Sequence, residues 1–363
     1  MASARARWAH TIAVTGVGLG ALALGLVVLG GTVSAGETQP SDLTMVSRAV
    51  ELHSLTHAGV AAVRLRARIK LLGLVSGSRE GEYVLSYESP DRWFEQTRFP
   101  GYSELAGVNA SERWRKRSGI DKPFRMHQAS RSLDLLAHLR LAPGATVSKS
   151  WRDTIGGQDA ACLAVSPTAD MWQKDISGQA AIPKVATDPS TKVSLCFAVA
   201  SGALVRADYG FPMPRYEFEG VVKLGDTVFP KVARCFEGKD LAVETTIEEL
   251  AAADAQPDPA AYAPPRGADR WPACAGPVMP RVVAKREAVH PSSAKAAKQF
   301  GTVICLAEVG TDGIIHDLAM VQCKSGLLWQ AVQTAVASLH YTPAACNGQP
   351  VPFELYLAYT FPP

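Results

Sequence analysis

Apolar and polar residues follow several different periods along the first two thirds of the chain. In residues 42–62, apolar side chains recur at roughly helical spacing, which predicts an α-helix. In residues 63–71, apolar residues alternate with arginine and lysine, which predicts a half-buried strand with a basic outer face. A second helix is predicted over residues 132–141. The other periodic segments predict strands over residues 81–86, 92–98, 111–117, 161–165, 192–198, 204–209, 215–222, 227–236 and 241–247.

This order of elements predicts the α+β class. One leading helix followed by a long antiparallel run favours a curved sheet or open barrel wrapped around helices. The basic face of the first strand is typical of a solvated strand, and acidic lipid headgroups are the alternative partner.

The pattern breaks at residues 256–280, which hold seven prolines. Such a density disfavours a regular helix or central strand and favours an extended, semi-rigid spacer. We therefore place the principal domain boundary here.

A different periodicity follows the spacer. Residues 302–309 and 314–323 predict two strands joined by a hairpin turn at Asp312–Gly313, since Asp-Gly adopts positive φ readily. Residues 327–339 carry apolar side chains on one helical face, and residues 353–361 alternate as a last strand. The predicted order is β-β-α-β, with one helix packed on a small antiparallel sheet.

The first 35 residues indicate export. A basic start with Arg5 and Arg7 precedes an apolar run, and Val33-Ser34-Ala35 offers small residues for signal cleavage. The run is also long enough to cross a bilayer, so residues 1–35 are either a cleaved signal peptide or a retained anchor. We expect a periplasmic protein, either free or anchored in the inner membrane.

The net charge of the chain argues against one class of function, nucleic-acid binding. Without the leader's two arginines, the formal net charge falls from +3 to +1. A nearly neutral exported protein gives no electrostatic case for nucleic-acid binding, although Arg113, Arg115, Lys116 and Arg117 cluster around Trp114.

Sequence motifs of enzymes are weak throughout. The chain lacks Cys-x-x-Cys, His-Glu-x-x-His and Gly-x-Ser-x-Gly. His53 and His57 have a spacing that can hold a metal, but no cysteine or carboxylate nearby completes a ligand set. We therefore expect a non-enzymatic protein with neither a cofactor nor a metal.

Seven cysteines in an exported chain predict disulfides. Cys162 and Cys196 fall in two predicted strands that can be neighbours, so they are one candidate pair. The predicted hairpin register places Cys305 opposite Met320 and so disfavours a bond from Cys305 to Cys323. Cys274 and Cys346 form the other candidate pair, and Cys235 is left free.

The last part of the chain resembles the C-terminal domain of TonB. The residues that carry the resemblance are His290-Pro291, Gly301-Thr302-Val303, Asp312-Gly313, the helix, Tyr341-Thr342-Pro343-Ala344, Asn347-Gly348-Gln349-Pro350-Val351 and Phe361. The resemblance covers residues 285–363 and implies that an exposed sheet edge takes up an extended peptide from an outer-membrane receptor or another envelope protein.

By that resemblance the edge is the last strand, with Glu354, Tyr356, Ala358 and Thr360 flanking the guest peptide. The alternative is an edge that only closes the sheet or pairs in a dimer. Two departures weaken a force-transmitting role through an inner-membrane proton-channel complex. The apolar run contains no polar residue except Thr11, Thr15 and Thr32, with His10 only at its edge, and a folded domain with a short spacer replaces a long arm.

Residues 43–250 resemble the LolA-like lipoprotein-sorting proteins. The resemblance lies in the leading helix, the basic first strand, Gly81-Glu82-Tyr83-Val84-Leu85, Ser89-Pro90-Asp91-Arg92-Trp93, Tyr216-Glu217-Phe218 and Phe229-Pro230. It implies a concave face that holds acyl chains, although the same residues would equally fill an ordinary core. The leading hypothesis is a peptide-binding protein of envelope transport, and the alternative is a lipid or lipoprotein carrier with a TonB-like docking or dimerisation module.

Overall fold

Strands dominate the protein, as seen in a computed structural model. It describes residues 40–74, 77–119, 123, 125–134, 146–166, 193–208, 214–253, 259–273, 277–284, 288–323 and 325–363. The helices are α1 (Pro40–Leu52), α2 (Met126–Asp134), α3 (Ser292–Ala296) and α4 (Gly326–Val336).

The strands of the first part run from residue 63 to residue 252. They are β1 (Val63–Leu74), β2 (Gly77–Ser89), β3 (Arg92–Phe99), β4 (Tyr102–Asn109), β5 (Glu112–Ser118), β6 (Thr146–Ile155), β7 (Gln158–Ser166), β8 (Val193–Ala198), β9 (Leu204–Asp208), β10 (Arg215–Leu224), β11 (Thr227–Glu237) and β12 (Asp240–Ala252).

The remaining strands have three or four residues, except for three longer ones in the C-terminal region. They are β13 (Asp269–Pro272), β14 (Arg281–Ala284), β15 (Gly301–Val309), β16 (Ile315–Gln322), β17 (His340–Thr342), β18 (Ala344–Cys346), β19 (Gln349–Val351) and β20 (Phe353–Phe361).

One antiparallel sheet of 13 strands is built from two meanders. Its strand order is β13-β5-β4-β3-β2-β1-β12-β11-β10-β9-β8-β7-β6. Strand β1 joins the meanders, because it pairs with β2 on one side and β12 on the other. The structure thus confirms a mostly antiparallel β fold with few helices.

Period-two alternation in β1 explains where the N-terminal core lies. Leu65 and Ile69 point to the same side of the sheet and are buried, together with Val46 of α1 and Ala129 of α2. The two helices therefore cover the apolar face that the sequence pattern predicted.

The opposite face of β1 carries its basic residues. Arg66 and Arg68 lie within 4 Å of Glu248 on β12, and Lys70 lies 3.8 Å from Glu80 on β2. Carboxylates on the neighbouring strands therefore offset the basic stripe, as expected for a solvated strand face rather than a lipid-binding one.

Both N-terminal helices differ from their predicted bounds. Helix α1 ends at Leu52, and residues 55–57 form a short 3-10 turn before Gly59, whose φ is +68°. Helix α2 begins at Met126, six residues before the predicted start, and predicted helical residues 135–141 lie outside the described residues. Met126, Ala129 and Leu133 form its buried side, and this three-to-four spacing defines the helix better than the leucine run does.

The C-terminal region contains a three-stranded sheet in the order β16-β15-β20. Between α4 and β20, where the predicted β-β-α-β order contains no element, the chain forms β17, β18 and β19. Strand β17 pairs with β14, and β18 pairs with β19. The observed order is therefore more elaborate than β-β-α-β.

Candidate functional site

Helix α4 supports one face of the C-terminal sheet. Ser325 caps the helix, with its side-chain oxygen accepting a hydrogen bond from the Leu328 amide. Leu328 and Val332 then pack against Val303 of β15 and Leu355 of β20. This packing fixes the position of the last strand.

Strand β20 lies at the edge of this sheet, as the sequence predicted. It pairs with β15 along its whole length, from Phe353 opposite Val309 to Phe361 opposite Gly301. Within the described residues, no strand pairs with its other side. Main-chain groups that point outward from an edge strand are available to another chain.

The predicted flanking residues occupy one face of β20. Thr360 is exposed, and Ala358 and Glu354 are half-buried. Glu354 lies opposite Glu308 in the register. The Tyr356 side chain lies outside what the structure describes.

The face of the C-terminal sheet opposite helix α4 is also covered. Ile304, Leu306 and Glu308 alternate along β15 and are all buried. Glu308 is only 5% exposed. It accepts two hydrogen bonds from Arg115 of β5, at 2.5 and 2.8 Å. A bidentate arginine–carboxylate pair thus joins the two sheets.

A second arginine extends this contact. Arg117 donates to Glu308 at 2.9 Å and to Glu104 at 2.8 Å, and it lies 3.6 Å from Asp317 of β16. Burial disfavours the charged guanidinium, but Glu308 and Glu104 outweigh it and raise the pKa of Arg117. The arginines that resembled a basic surface patch are therefore paired across the boundary between the two parts of the chain.

The proline-rich segment is packed on the N-terminal sheet. Tyr262 is fully buried and meets the Phe94 ring edge-on at 5.7 Å, while its carbonyl accepts a hydrogen bond from the Trp114 indole at 3.0 Å. Strand β13 then adds to the edge of β5, and Trp271 lies under the Arg115 guanidinium at 5.5 Å. We call residues 259–273 the strap. Trp271 also contacts the core beneath α4, so the strap touches both parts of the chain.

Comparison with known families identifies the C-terminal part. Residues 286–363 match the family described as the Gram-negative bacterial TonB protein C-terminal. The C-terminal domain is TonB-like. The match supports an envelope-associated protein. A comparison with curated proteins found no match.

Solved structures resemble part of the chain, at low identity. A DUF1329 family protein from Desulfovibrio piger is 12% identical, covers 61% of this chain and 96% of its own, and gives a TM-score of 0.40. A LolA superfamily protein from Nitrosomonas europaea is 9% identical, covers 59% of this chain and 94% of its own, and gives a TM-score of 0.37. The TonB-like resemblance that the motifs indicated is thus recovered by the family match. Among the described residues, no helix has the length and apolar character to cross a membrane.

The cysteines serve both parts of the chain. Cys162 and Cys196 are opposite each other on β7 and β8 and form a disulfide, as the sequence suggested. In the TonB-like domain Cys305 lies opposite Met320, as the hairpin predicted, and both Cys305 and Cys323 are free. Cys346 is disulfide-bonded, whereas Cys274, its predicted partner, lies outside the described residues.

His53 is a packed residue of the N-terminal domain. It is 4% exposed, and its Nε2 accepts a weak hydrogen bond from the Leu204 amide at 3.4 Å. Burial lowers its pKa to about 4. The side chain of His57 lies outside the described residues, and within those residues no cluster of metal-ligating side chains occurs.

Proposed function

We propose that the protein is a non-enzymatic, periplasmic protein that binds extended peptide segments of an envelope partner along the outer edge of β20. The observation that carries this proposal is the position of β20. It is a nine-residue strand in a TonB-like domain, and among the described residues it pairs only with β15.

The geometry of β20 defines what a guest strand would meet. Its main-chain groups give affinity without regard to sequence, while alternate side chains of the guest give specificity. On the face supported by α4, Leu357 and Tyr359 are half-buried and offer apolar contact. On the other face, Ala358 and Thr360 are small. We therefore expect guests with large apolar side chains at every second position and small or polar ones between them.

The partner we propose is an outer-membrane receptor, which would present such a peptide in the periplasm. Force transmission from an inner-membrane proton-channel complex would additionally need a retained N-terminal anchor. Intact mass of the protein from its native envelope decides this point: a chain that starts at Met1 keeps the anchor, and one that starts at Gly36 has lost it.

Peptides copied from the N-terminal segments of the host's outer-membrane receptors test the proposal. With the full-length protein, amide hydrogen exchange should slow in β20 when such a peptide binds, because its outward main-chain groups become hydrogen-bonded. The matched controls are two versions of the same peptide, one N-methylated at its odd-numbered amides and the other at its even-numbered amides. Only one of the two versions should lose binding, since only one set of amides faces β20.

Two results would contradict this function. The first is equal binding of both methylated peptides, which would show that no strand pairing occurs. The second is binding that protects amides elsewhere but leaves residues 353–361 unchanged.

The alternative, a carrier for acyl chains, gains no support from the described residues. Leu65, Ile69 and Leu71 on the apolar face of β1 are at most 2% exposed and pack against a continuous core. An acyl chain would have to displace α1 or α2 to reach them. Co-purification of lipid with the native protein would revive the carrier hypothesis.

A further inference from the structure

A second open strand edge lies beside the TonB-like domain, just before the residues that match the family. Strand β14 pairs with β17, with Arg281 opposite Thr342 and Val282 opposite Tyr341. No described strand pairs with the other side of β14. Its outward main-chain groups are therefore available for strand addition, independently of β20.

This edge is apolar and exposed. Val278 is 63% exposed, Val282 is 50% and Val283 is 67%, and Met279 is exposed beside them. A register shift between Val282 and Ala284 marks a bulge at Val283, which interrupts the alternation of side chains. Adjacent large apolar side chains on a surface mark an interaction site rather than an ordinary solvated strand.

The charge of the edge is entirely positive. Neither residues 277–284 nor residues 340–353 contain an aspartate or a glutamate. Arg281 and His340 are both exposed, and within the described residues the Arg281 guanidinium has no carboxylate within 4 Å. An acidic partner is therefore favoured over a basic one.

We propose that β14 is a second strand-addition site, which takes an extended peptide with apolar side chains at alternate positions and a carboxylate beside Arg281. Main-chain pairing would supply affinity, and the valines and Arg281 would select the guest. Pairing of β14 with a second copy of itself is less favourable, since it would bring two arginines together without a carboxylate.

A pair of designed peptides tests this site in the full-length protein. One is a capped nonapeptide that alternates valine and threonine and carries glutamate at both ends, and its twin carries lysine instead. The glutamate peptide should slow amide hydrogen exchange in residues 278–284. The lysine peptide should bind roughly two- to fivefold more weakly, as expected for an exposed charge pair.

Two variants separate side-chain selection from general surface effects. Val283→Asp should abolish protection of residues 278–284, whereas Val221→Asp, at another exposed valine, should leave it unchanged. Arg281→Glu should reverse the preference so that the lysine peptide binds more tightly. This reversal stays informative even if Val283→Asp fails to fold.

Three outcomes would overturn the inference. They are protection confined to residues 353–361, equal affinity for the two peptides, and protection of residues 278–284 that rises with protein concentration when no peptide is present. The first outcome would leave the β20 function standing, and loss of β20 binding would not affect β14, so the two proposals fail separately. The third would assign the edge to self-association.

Discussion

Tyr262 anchors the strap, and the ring and the hydroxyl of its side chain are in different environments. Its ring is buried against Phe94 and beside Arg92, whereas its hydroxyl is buried and has no hydrogen-bond partner among the described residues. An unpaired buried hydroxyl destabilises the folded state, whereas a buried aromatic ring stabilises it. The two contributions can be separated by substitution.

We expect Tyr262→Phe to keep or raise the free energy of unfolding, by up to about 1 kcal/mol, because it removes the unpaired hydroxyl. Tyr262→Ala should lower it by about 3–5 kcal/mol, because it empties the site of the ring. Urea unfolding of both variants measures the difference. A loss in Tyr262→Phe comparable to that in Tyr262→Ala would show that the hydroxyl is hydrogen-bonded in solution.

His53 gives the protein a pH-dependent stability. Its pKa in the folded state is about 4, below the unfolded value of 6.5, because burial disfavours the charged ring. Above pH 6.5 the ring is neutral in both states and this contribution is fully present. As the pH falls from 6.5 to 4, only the unfolded chain takes up the proton, so stability is lost, by about 3 kcal/mol in total.

Replacing His53 with glutamine should remove this part of the pH dependence. Unfolding free energies measured at pH 7 and pH 4.5 should differ less in His53→Gln than in the unmodified protein. Val199→Gln, at an exposed position without a titratable group, is the control and should leave the difference unchanged. An unaltered pH dependence in His53→Gln would mean that His53 is accessible to protons in the folded state.

The hairpin between β15 and β16 depends on Gly313. Its φ is +78°, and a Cβ atom there would lie 2.0 Å from the Tyr341 carbonyl oxygen. Gly348 has a similar φ of +81° but open space around it. Gly313→Ala should therefore lower the free energy of unfolding by more than about 2 kcal/mol, and Gly348→Ala by only about 1 kcal/mol. Equal losses, measured by thermal or urea unfolding, would mean that conformation alone matters at Gly313.

Strands with strict alternation could be predicted from the sequence, and several others could not, of which β4 and β6 are examples. Strand β4 was missed because apolar and polar side chains do not alternate along it. One of its positions has to be glycine, since a Cβ atom at Gly107 would come within 2.6 Å of Trp114. Strand β6 was missed because it is an edge strand, exposed at most positions on both faces. Local patterns detect a strand only where one face is buried.

In the candidate site, too, local sequence patterns predicted some features and not others. Alternation from Phe353 to Phe361 was enough to predict a strand, and β20 is that strand, whereas its edge position was only what the TonB resemblance implied. The covering of its sheet by Arg115 and Arg117 was not predictable, since these arginines resembled a solvated basic patch. Their partner Glu308 lies 193 residues from Arg115, and no local pattern links them.

At the scale of the whole molecule, residues 38–363 form one compact unit in which the TonB-like domain is held in place. The strap binds the edge of the N-terminal sheet, and the Arg115–Glu308 pair joins the two sheets. A free arm would let a peptide-binding domain search a large volume. Here the orientation of the β20 edge is instead fixed relative to the N-terminal sheet, so a bound peptide would be presented to that sheet in one geometry.

Glu308 is the residue on which this fixed arrangement depends most. Glu308→Gln would leave two buried or half-buried guanidinium groups without their shared carboxylate, which should cost about 3–5 kcal/mol. Glu112→Gln is the matched control, because its pair with Arg270 is equally short, at 2.6 Å, but exposed, and should cost at most about 1 kcal/mol.

The location of the lost stability distinguishes docking from folding. If Glu308 mainly docks the TonB-like domain, Glu308→Gln should speed amide hydrogen exchange of β5, β13 and β15 at the junction while β7 and β8, held by the Cys162–Cys196 disulfide, stay protected. If exchange speeds up throughout residues 301–361 but is unchanged in β5 and β13, Glu308 stabilises only its own domain. No change at either place would show that the ion pair does not hold the two sheets together in solution, and the β20 edge would then be free to move.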